Sequence, residues 1–101
     1  MCEIFGNNKP RFTTHFLERY AERIFHVKRD NASSWIKHNY NKFYTDLFHR
    51  LNNSVLYTHN NTEFSYISKK YGDDVRLLRY NQFIFVVRDF QNIVTFMRIT
   101  E

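Results

Sequence analysis

The sequence has few of the residues that cross-link or interrupt a chain. Its 101 residues include one cysteine, Cys2, one proline and two glycines. A single cysteine excludes an internal disulfide bond. The glycines, Gly6 and Gly72, are too far apart to form a glycine-rich phosphate loop. So little glycine and proline also disfavours a disordered or linker-rich chain. These absences favour a domain that folds without disulfides.

Long apolar runs and metal-ligand motifs are absent as well. No apolar run approaches the roughly 18–20 residues that a membrane span requires. The N-terminal residues also lack the basic segment followed by an apolar segment that would predict a signal peptide. We therefore expect a cytoplasmic protein with no membrane partner. The histidines form no His-x-x-x-His pair and lie near no cysteine cluster. We therefore predict no metal site and no cofactor.

Aromatic residues and positive charge are abundant. Eleven phenylalanines, seven tyrosines and one tryptophan make up 19% of the chain. Lys and Arg number 15 against 10 Asp and Glu, and residues 1–50 alone carry nine cations and five anions, a net +4 of the total +5. Such a field attracts polyanions. The length suits one domain, residues 1–101.

The first half of the chain predicts two helices after an N-terminal arm of residues 1–12. Thr13 or Thr14 is a suitable N-cap for a first helix that runs to about residue 27. Apolar residues at three- and four-residue steps predict a second helix over about residues 32–51. Its apolar face is expected to consist of Trp35, Ile36, Tyr40, Phe43, Leu47 and Leu51.

The second half predicts strands, because β-branched and aromatic residues recur there between turn signals. Asn81-Gln82 suits a two-residue hairpin turn. Strands are expected at residues 75–80, 83–88 and 93–99, while residues 54–59 and 64–69 are shorter runs with strand character from which the fourth strand is expected. In the strand at residues 93–99, Ile93, Thr95, Met97 and Ile99 are expected to share one face.

The predicted fold is therefore α+β, with two N-terminal helices packed on one face of a four-stranded antiparallel sheet. The helical part covers residues 13–52 and the antiparallel meander covers residues 54–99. The strand at 83–88 is apolar on both faces. Its second face needs a cover, which we expect to be the arm or a partner.

The first helix also carries candidate chemistry beside its apolar face. His15, Arg19, Glu22 and His26 follow one another at helical spacing. RNA cleavage without a metal needs an acid–base group and cations that stabilise the charged phosphorane. His15 suits the first role, and Arg19 and Arg23 could hold phosphate oxygens. The same residues also fit an ordinary solvated helix surface, with Arg19 paired to Glu22.

Cations on the predicted strands extend this candidate site. Arg79 shares a face with apolar neighbours, which favours a partnered or ligand-facing guanidinium, although snorkelling at a sheet edge explains it as well. Arg76 and Arg98 are further strand cations. Lys69 precedes a turn beside Tyr71, a combination that either stacks bases or is simply solvated.

Two parts of the chain resemble the RelE-like toxin superfamily, which includes the BrnT-type toxins and the phage RegB-type endoribonuclease. One is the His15-x-x-x-Arg19-x-x-x-Arg23 helix, and the other is the strand region that closes on Ile93-Val94-Thr95-Phe96. The resemblance implies metal-independent RNA cleavage on an α+β scaffold. By position it implies catalytic roles for His15, Arg19, Arg79 and Thr95. The residues themselves add Arg23, Lys69, Arg76 and Arg98 as candidates for substrate binding.

Three functional hypotheses follow from these patterns. The leading one is a RelE-like endoribonuclease of a phage or a toxin–antitoxin system, with RNA as substrate and an acidic antitoxin as partner. The second is a non-catalytic phage-type interaction protein that inhibits a host or defence protein or sequesters a nucleotide, or that forms a homodimer through its aromatic surface. The third is a simple nucleic-acid-binding module.

Overall fold

The computed structural model describes residues 9–57, 62–72, 75–89 and 91–98. Within these ranges the chain has the predicted α+β character, but with four α-helices and five strands. None of the helices in this part of the chain is long and apolar enough to cross a membrane. In chain order the elements are β1 (Arg11–Phe12), α1 (Thr14–Phe25), a 3₁₀ turn (Arg29–Asn31), α2 (Ala32–His38), α3 (Tyr40–Asn52), β2 (Val55–Leu56), α4 (Thr62–Tyr71), β3 (Arg76–Tyr80), β4 (Phe83–Arg88) and β5 (Asn92–Arg98).

The sheet is mixed rather than wholly antiparallel. Its strand order is β1-β5-β4-β3-β2. Strands β3, β4 and β5 form the predicted meander, and Tyr80 pairs with Phe83 across the predicted Asn81-Gln82 turn. Strand β1 pairs parallel with β5. Part of the expected arm is therefore an edge strand, and residues 1–8 of that arm lie outside the described residues.

Helix α1 begins where the sequence predicts. The Thr13 hydroxyl accepts a hydrogen bond from the Phe16 amide at 3.1 Å, which satisfies one of the free N–H groups of the first turn. The predicted second helix is broken at Asn39, whose backbone leaves helical geometry at φ −124° and ψ 34°. The Trp35 carbonyl accepts hydrogen bonds from both the backbone amide and the side-chain amide of Asn39, each at 2.9 Å.

The strand predicted at residues 64–69 is wrong, because this region forms helix α4. Ile67 and Tyr71 are one helical turn apart, and both pack against the sheet. In the described structure α4, together with Tyr57, covers the second sheet face that the sequence assigned to the arm or a partner.

The two faces of the sheet have separate cores. The helical-layer face packs against α1, α2 and α3, and its buried residues are Phe16, Tyr20, Ala21, Ala32, Phe43, Leu47, Leu51, Leu78, Phe85, Val87, Ile93 and Phe96. The α4 face buries Ile67, Val75, Leu77, Ile84 and Val86. Each face therefore belongs to a different set of helices.

A β-bulge decides which face the residues of β5 occupy. Thr95 pairs with Val86, Ile93 pairs with Val87, and Val94 is the extra residue between them. Because an inserted residue shifts the alternation of side chains, Ile93 faces the helical layer while Thr95 faces α4. The expectation that Ile93 and Thr95 share one face is wrong.

Candidate functional site

The four predicted catalytic residues lie on opposite sides of the sheet. His15 is exposed in the first turn of α1, and Arg19 follows one turn later, both above the helical-layer face. Arg79 pairs with Ile84 and Thr95 pairs with Val86. Directly paired residues share a face, so the side chains of Arg79 and Thr95 are on the α4 face. The structure does not bring these four residues into one cleft.

Arg79 and Thr95 also have local structural surroundings. The Arg79 Nε donates to the Asn81 carbonyl at 2.8 Å, and its guanidinium lies 5.6 Å from the centre of the Tyr57 ring. Thr95 is only 5% exposed. The half-buried arginine caps the end of a hairpin, and the threonine is part of a packed face.

The predicted phosphate ligands are dispersed as well. Arg19 lies 3.8 Å from Glu22, the pairing that the sequence left open, and Arg23 is exposed with no ion pair in the described part of the chain. Arg98 donates to the Gln82 side chain at 3.0 Å. Arg76 donates to the Val75 carbonyl at 3.0 Å, while Lys69 is exposed on α4, across the sheet.

The sequence reasoning missed a row of aromatic rings on α3. Tyr40, Tyr44 and Phe48 follow one another at four-residue steps, with ring centres separated by 4.6 Å and then 6.3 Å. Tyr40 is 61% exposed and Phe48 is 38% exposed, so the expected place of Tyr40 in the core is wrong. Partial burial and the neighbouring Tyr40 raise the pKa of Tyr44. Its hydroxyl therefore stays protonated at neutral pH.

The aromatic row packs against the core through Phe12. Phe12 of β1 stands 6.3 Å from Tyr44 and 5.7 Å from Phe48. The Phe12 ring in turn stacks on Phe16 in the core at 5.6 Å. The row is therefore anchored to the core at one side and open to solvent at the other.

A hollow of about 570 Å³ lies on the other flank of α3. Its lining combines one aromatic ring at the end of α1 with polar side chains of α3, namely Phe25, Asn41, Lys42, Thr45, Asp46 and His49. The volume is within the range of about 300–1,000 Å³ that is usual for small-ligand sites. The Lys42 ammonium lies 5.8 Å from the centre of the Phe25 ring.

Asp46 is the anchored polar group of this hollow. Its Oδ2 accepts hydrogen bonds from the Tyr20 hydroxyl at 2.5 Å and from Arg50 Nε at 3.0 Å. Burial of Tyr20, followed by its bond to Asp46, raises the pKa of the tyrosine far above its usual value. The hydroxyl therefore remains a donor, and the Asp46 carboxylate is held in place from two sides.

Charge on α2 and α3 is one-sided. Over the range Ala32–Asn52 the cations are Lys37, Lys42 and Arg50, and the single carboxylate is Asp46. Arg50 pairs with that carboxylate. Within the described ranges, no three His, Cys, Asp or Glu side chains come close enough to hold a metal ion. The surface of α2 and α3 therefore presents cations, histidines and aromatic rings.

One signal in the sequence pointed to these features. Tyr40-x-x-x-Tyr44-x-x-x-Phe48 and Asn41-x-x-x-Thr45-x-x-x-His49 are two parallel rows at the four-residue step of a helix.

Assignment to the RelE-like superfamily stays a prediction. No protein-family model, no curated protein and no solved structure matches this chain.

Proposed function

We propose that this protein is a non-catalytic nucleic-acid-binding module that holds single-stranded RNA on the surface of α2 and α3. The observation that supports it is the aromatic row of Tyr40, Tyr44 and Phe48, exposed at Tyr40 and Phe48, on a helix that also carries cations. Single-stranded nucleic acids bind where bases stack on aromatic rings while cations follow the phosphates. RNA is the form that the sequence predicts.

The positive charge of this surface favours an anionic partner over a second copy of this chain. The one carboxylate on α2 and α3, Asp46, is paired with Arg50 at 3.0 Å. Lys37 and Lys42 have no ion pair within the described part of the chain. A second copy of this chain carries the same +5 charge, and this like charge opposes self-association through the surface of α2 and α3.

Binding without cleavage is favoured over the endoribonuclease of the leading sequence hypothesis. Acid–base catalysis requires the imidazole to lie within hydrogen-bond reach of the group that it protonates or deprotonates. The cations that stabilise the phosphorane must reach the same phosphate. His15 lies above one face of the sheet, whereas the Arg79 side chain lies on the other.

The test is fluorescence anisotropy with a labelled single-stranded RNA of about 12 nucleotides, within the usual site size of such modules. The titration is run in EDTA, with DNA of the same sequence as a second probe. We expect Tyr40→Ala and Phe48→Ala each to raise the Kd about fivefold or more, because one stacked base contributes about 1–3 kcal/mol. Leu56→Ala removes an exposed apolar side chain, 52% exposed at the β2 edge, and serves as the matched control.

Two results would overturn the proposal. One is a Kd that responds equally to Leu56→Ala and Phe48→Ala. The other is shortened RNA on a denaturing gel after incubation in EDTA, with loss of that cleavage in His15→Ala, which would restore the endoribonuclease. Tighter binding of DNA than RNA would retain the surface but change its ligand.

A further inference from the structure

The hollow between α1 and α3 has the composition of a site for one nucleotide. Its apolar part is the Phe25 ring, held in place by Trp35 at 4.8 Å and Phe43 at 6.0 Å between ring centres. Lys42 lies over this ring, so one ring face is turned toward the hollow. A supported aromatic ring with a cation beside it suits a flat base that carries a phosphate.

The polar part of the hollow contains an acceptor that is fixed before any ligand arrives. Both bonds to Asp46, from Tyr20 and from Arg50, use Oδ2. In the described part of the chain no further bond is made to its second oxygen, Oδ1. A carboxylate oxygen accepts from the exocyclic amino group of a base, as in the pairing of Asp with cytosine N4.

We propose that the hollow binds a single nucleotide whose base has an exocyclic amino group. The base packs on Phe25, its amino group donates to Asp46 Oδ1, and Lys42 swings from the ring to the phosphate. Asn41, Thr45 and His49 border the opening and offer further hydrogen bonds. This inference rests on the proposed function only for the source of the nucleotide, which is either free or part of an RNA strand.

The choice of base follows from the chemistry of Asp46. Cytosine, adenine and guanine each carry an exocyclic amino group, whereas uracil has a carbonyl oxygen where cytosine has its amino group. Two acceptors that face each other without a proton repel. We therefore expect CMP and AMP to bind at least about fivefold tighter than UMP.

The experiment is a titration of the intact protein with CMP, AMP, UMP and cytidine, followed by amide chemical shifts in NMR spectra. Shifts should concentrate at the end of α1 and along α3. Asp46→Asn should equalise CMP and UMP, because an amide presents both a donor and an acceptor. Lys42→Gln should equalise CMP and cytidine, because it removes the contact with the phosphate. Arg88→Gln, an exposed cation at the end of β4, should change neither ratio.

Each outcome decides the matter. Equal Kd values for CMP and UMP, or shifts away from the hollow, overturn the inference. If Asp46→Asn does not fold, the comparison of CMP with UMP and the loss of phosphate preference in Lys42→Gln still test it. RNA binding without mononucleotide binding leaves the proposed function standing and removes this site. Binding of CMP in the hollow without RNA binding does the reverse. Titrations with oligo(C) and oligo(U) then identify the source of the nucleotide. Tighter binding of oligo(C) than of both oligo(U) and CMP indicates a strand, whereas CMP binding that oligo(C) does not exceed indicates a free nucleotide.

Discussion

The Tyr20 hydroxyl and the Asp46 carboxylate form the most informative side-chain contact in the protein. Tyr20 is fully buried, and its hydroxyl donates to Asp46 across the α1–α3 interface at 2.5 Å. Hydrogen bonds to a charged group contribute about 1.5–3 kcal/mol when well shielded. The Asp46 side chain is 30% exposed, so we expect Tyr20→Phe to lower the free energy of unfolding by about 1–2 kcal/mol.

The same contact predicts the response of stability to alkaline pH. Burial and Asp46 raise the pKa of Tyr20, so above the unfolded-chain value of about 10 the folded protein keeps a proton that the unfolded chain releases. This contribution is fully present below pH 10 and is lost as pH rises beyond it. Urea unfolding at pH 8 and above pH 10 should show a smaller alkaline loss in Tyr20→Phe than in the wild type.

Tyr71→Phe is the control for this measurement, because it keeps the ring and removes a hydroxyl with no hydrogen bond in the described structure. It should leave both the stability at pH 8 and the alkaline loss close to those of the wild type. Equal behaviour of the two variants would mean that the Tyr20–Asp46 bond does not hold α1 against α3.

Among the helices, α1 is followed by a capping residue with unfavourable backbone geometry. His26 has φ 58° and ψ 34°, the left-handed conformation, and the amide of Val27 donates back to Ala21 at 3.3 Å. A residue with a Cβ is disfavoured in this conformation by about 1–2 kcal/mol, and glycine is the usual occupant.

We therefore expect His26→Gly to raise the free energy of unfolding by about 0.5–1 kcal/mol, since part of the relief is offset by the greater freedom of glycine in the unfolded chain. His26→Ala keeps a Cβ and should bring no gain. Thermal unfolding of the two variants beside the wild type measures the difference. A gain in His26→Ala equal to that in His26→Gly would show that the imidazole, not the backbone, is unfavourable.

The helices and strands that could be predicted are those specified by nearby residues. The N-cap at Thr13 and the turn at Asn81-Gln82 are local features, and both are confirmed. Helix α4 was missed because a six-residue window at 64–69 fits alternation as well as helical spacing. The break at Asn39 was missed because the apolar pattern continues across it, and apolar spacing does not show where an asparagine side chain bonds to the local backbone.

The catalytic site that the sequence predicted does not form, and the reason lies in how distant parts of the chain are arranged. Apart from Lys69, which lies on helix α4, its residues were placed correctly on a helix and on strands, but a shared cleft also requires them to occupy the same face of the sheet. Strand register and the bulge at Val94 set the faces, and one residue of shift reverses every side chain. The surface of α3 was missed for a different reason, because Tyr40 was predicted to lie on the apolar face and is instead exposed.

For the protein as a whole, the proposed RNA surface lies on one side of the sheet. Cations on the two sides should therefore contribute unequally to the salt dependence of RNA binding. Binding of a single strand loses affinity with a slope of about 0.7 in log Kd against log salt for each phosphate neutralised. Lys42 lies on the helical-layer side, whereas Arg88 follows Val87 on β4 and so points to the α4 face. We expect Lys42→Gln to reduce the slope by about 0.7 and Arg88→Gln to leave it unchanged. Anisotropy titrations between low and moderate salt measure both slopes, and equal reductions would mean that RNA follows net charge rather than the α2–α3 surface.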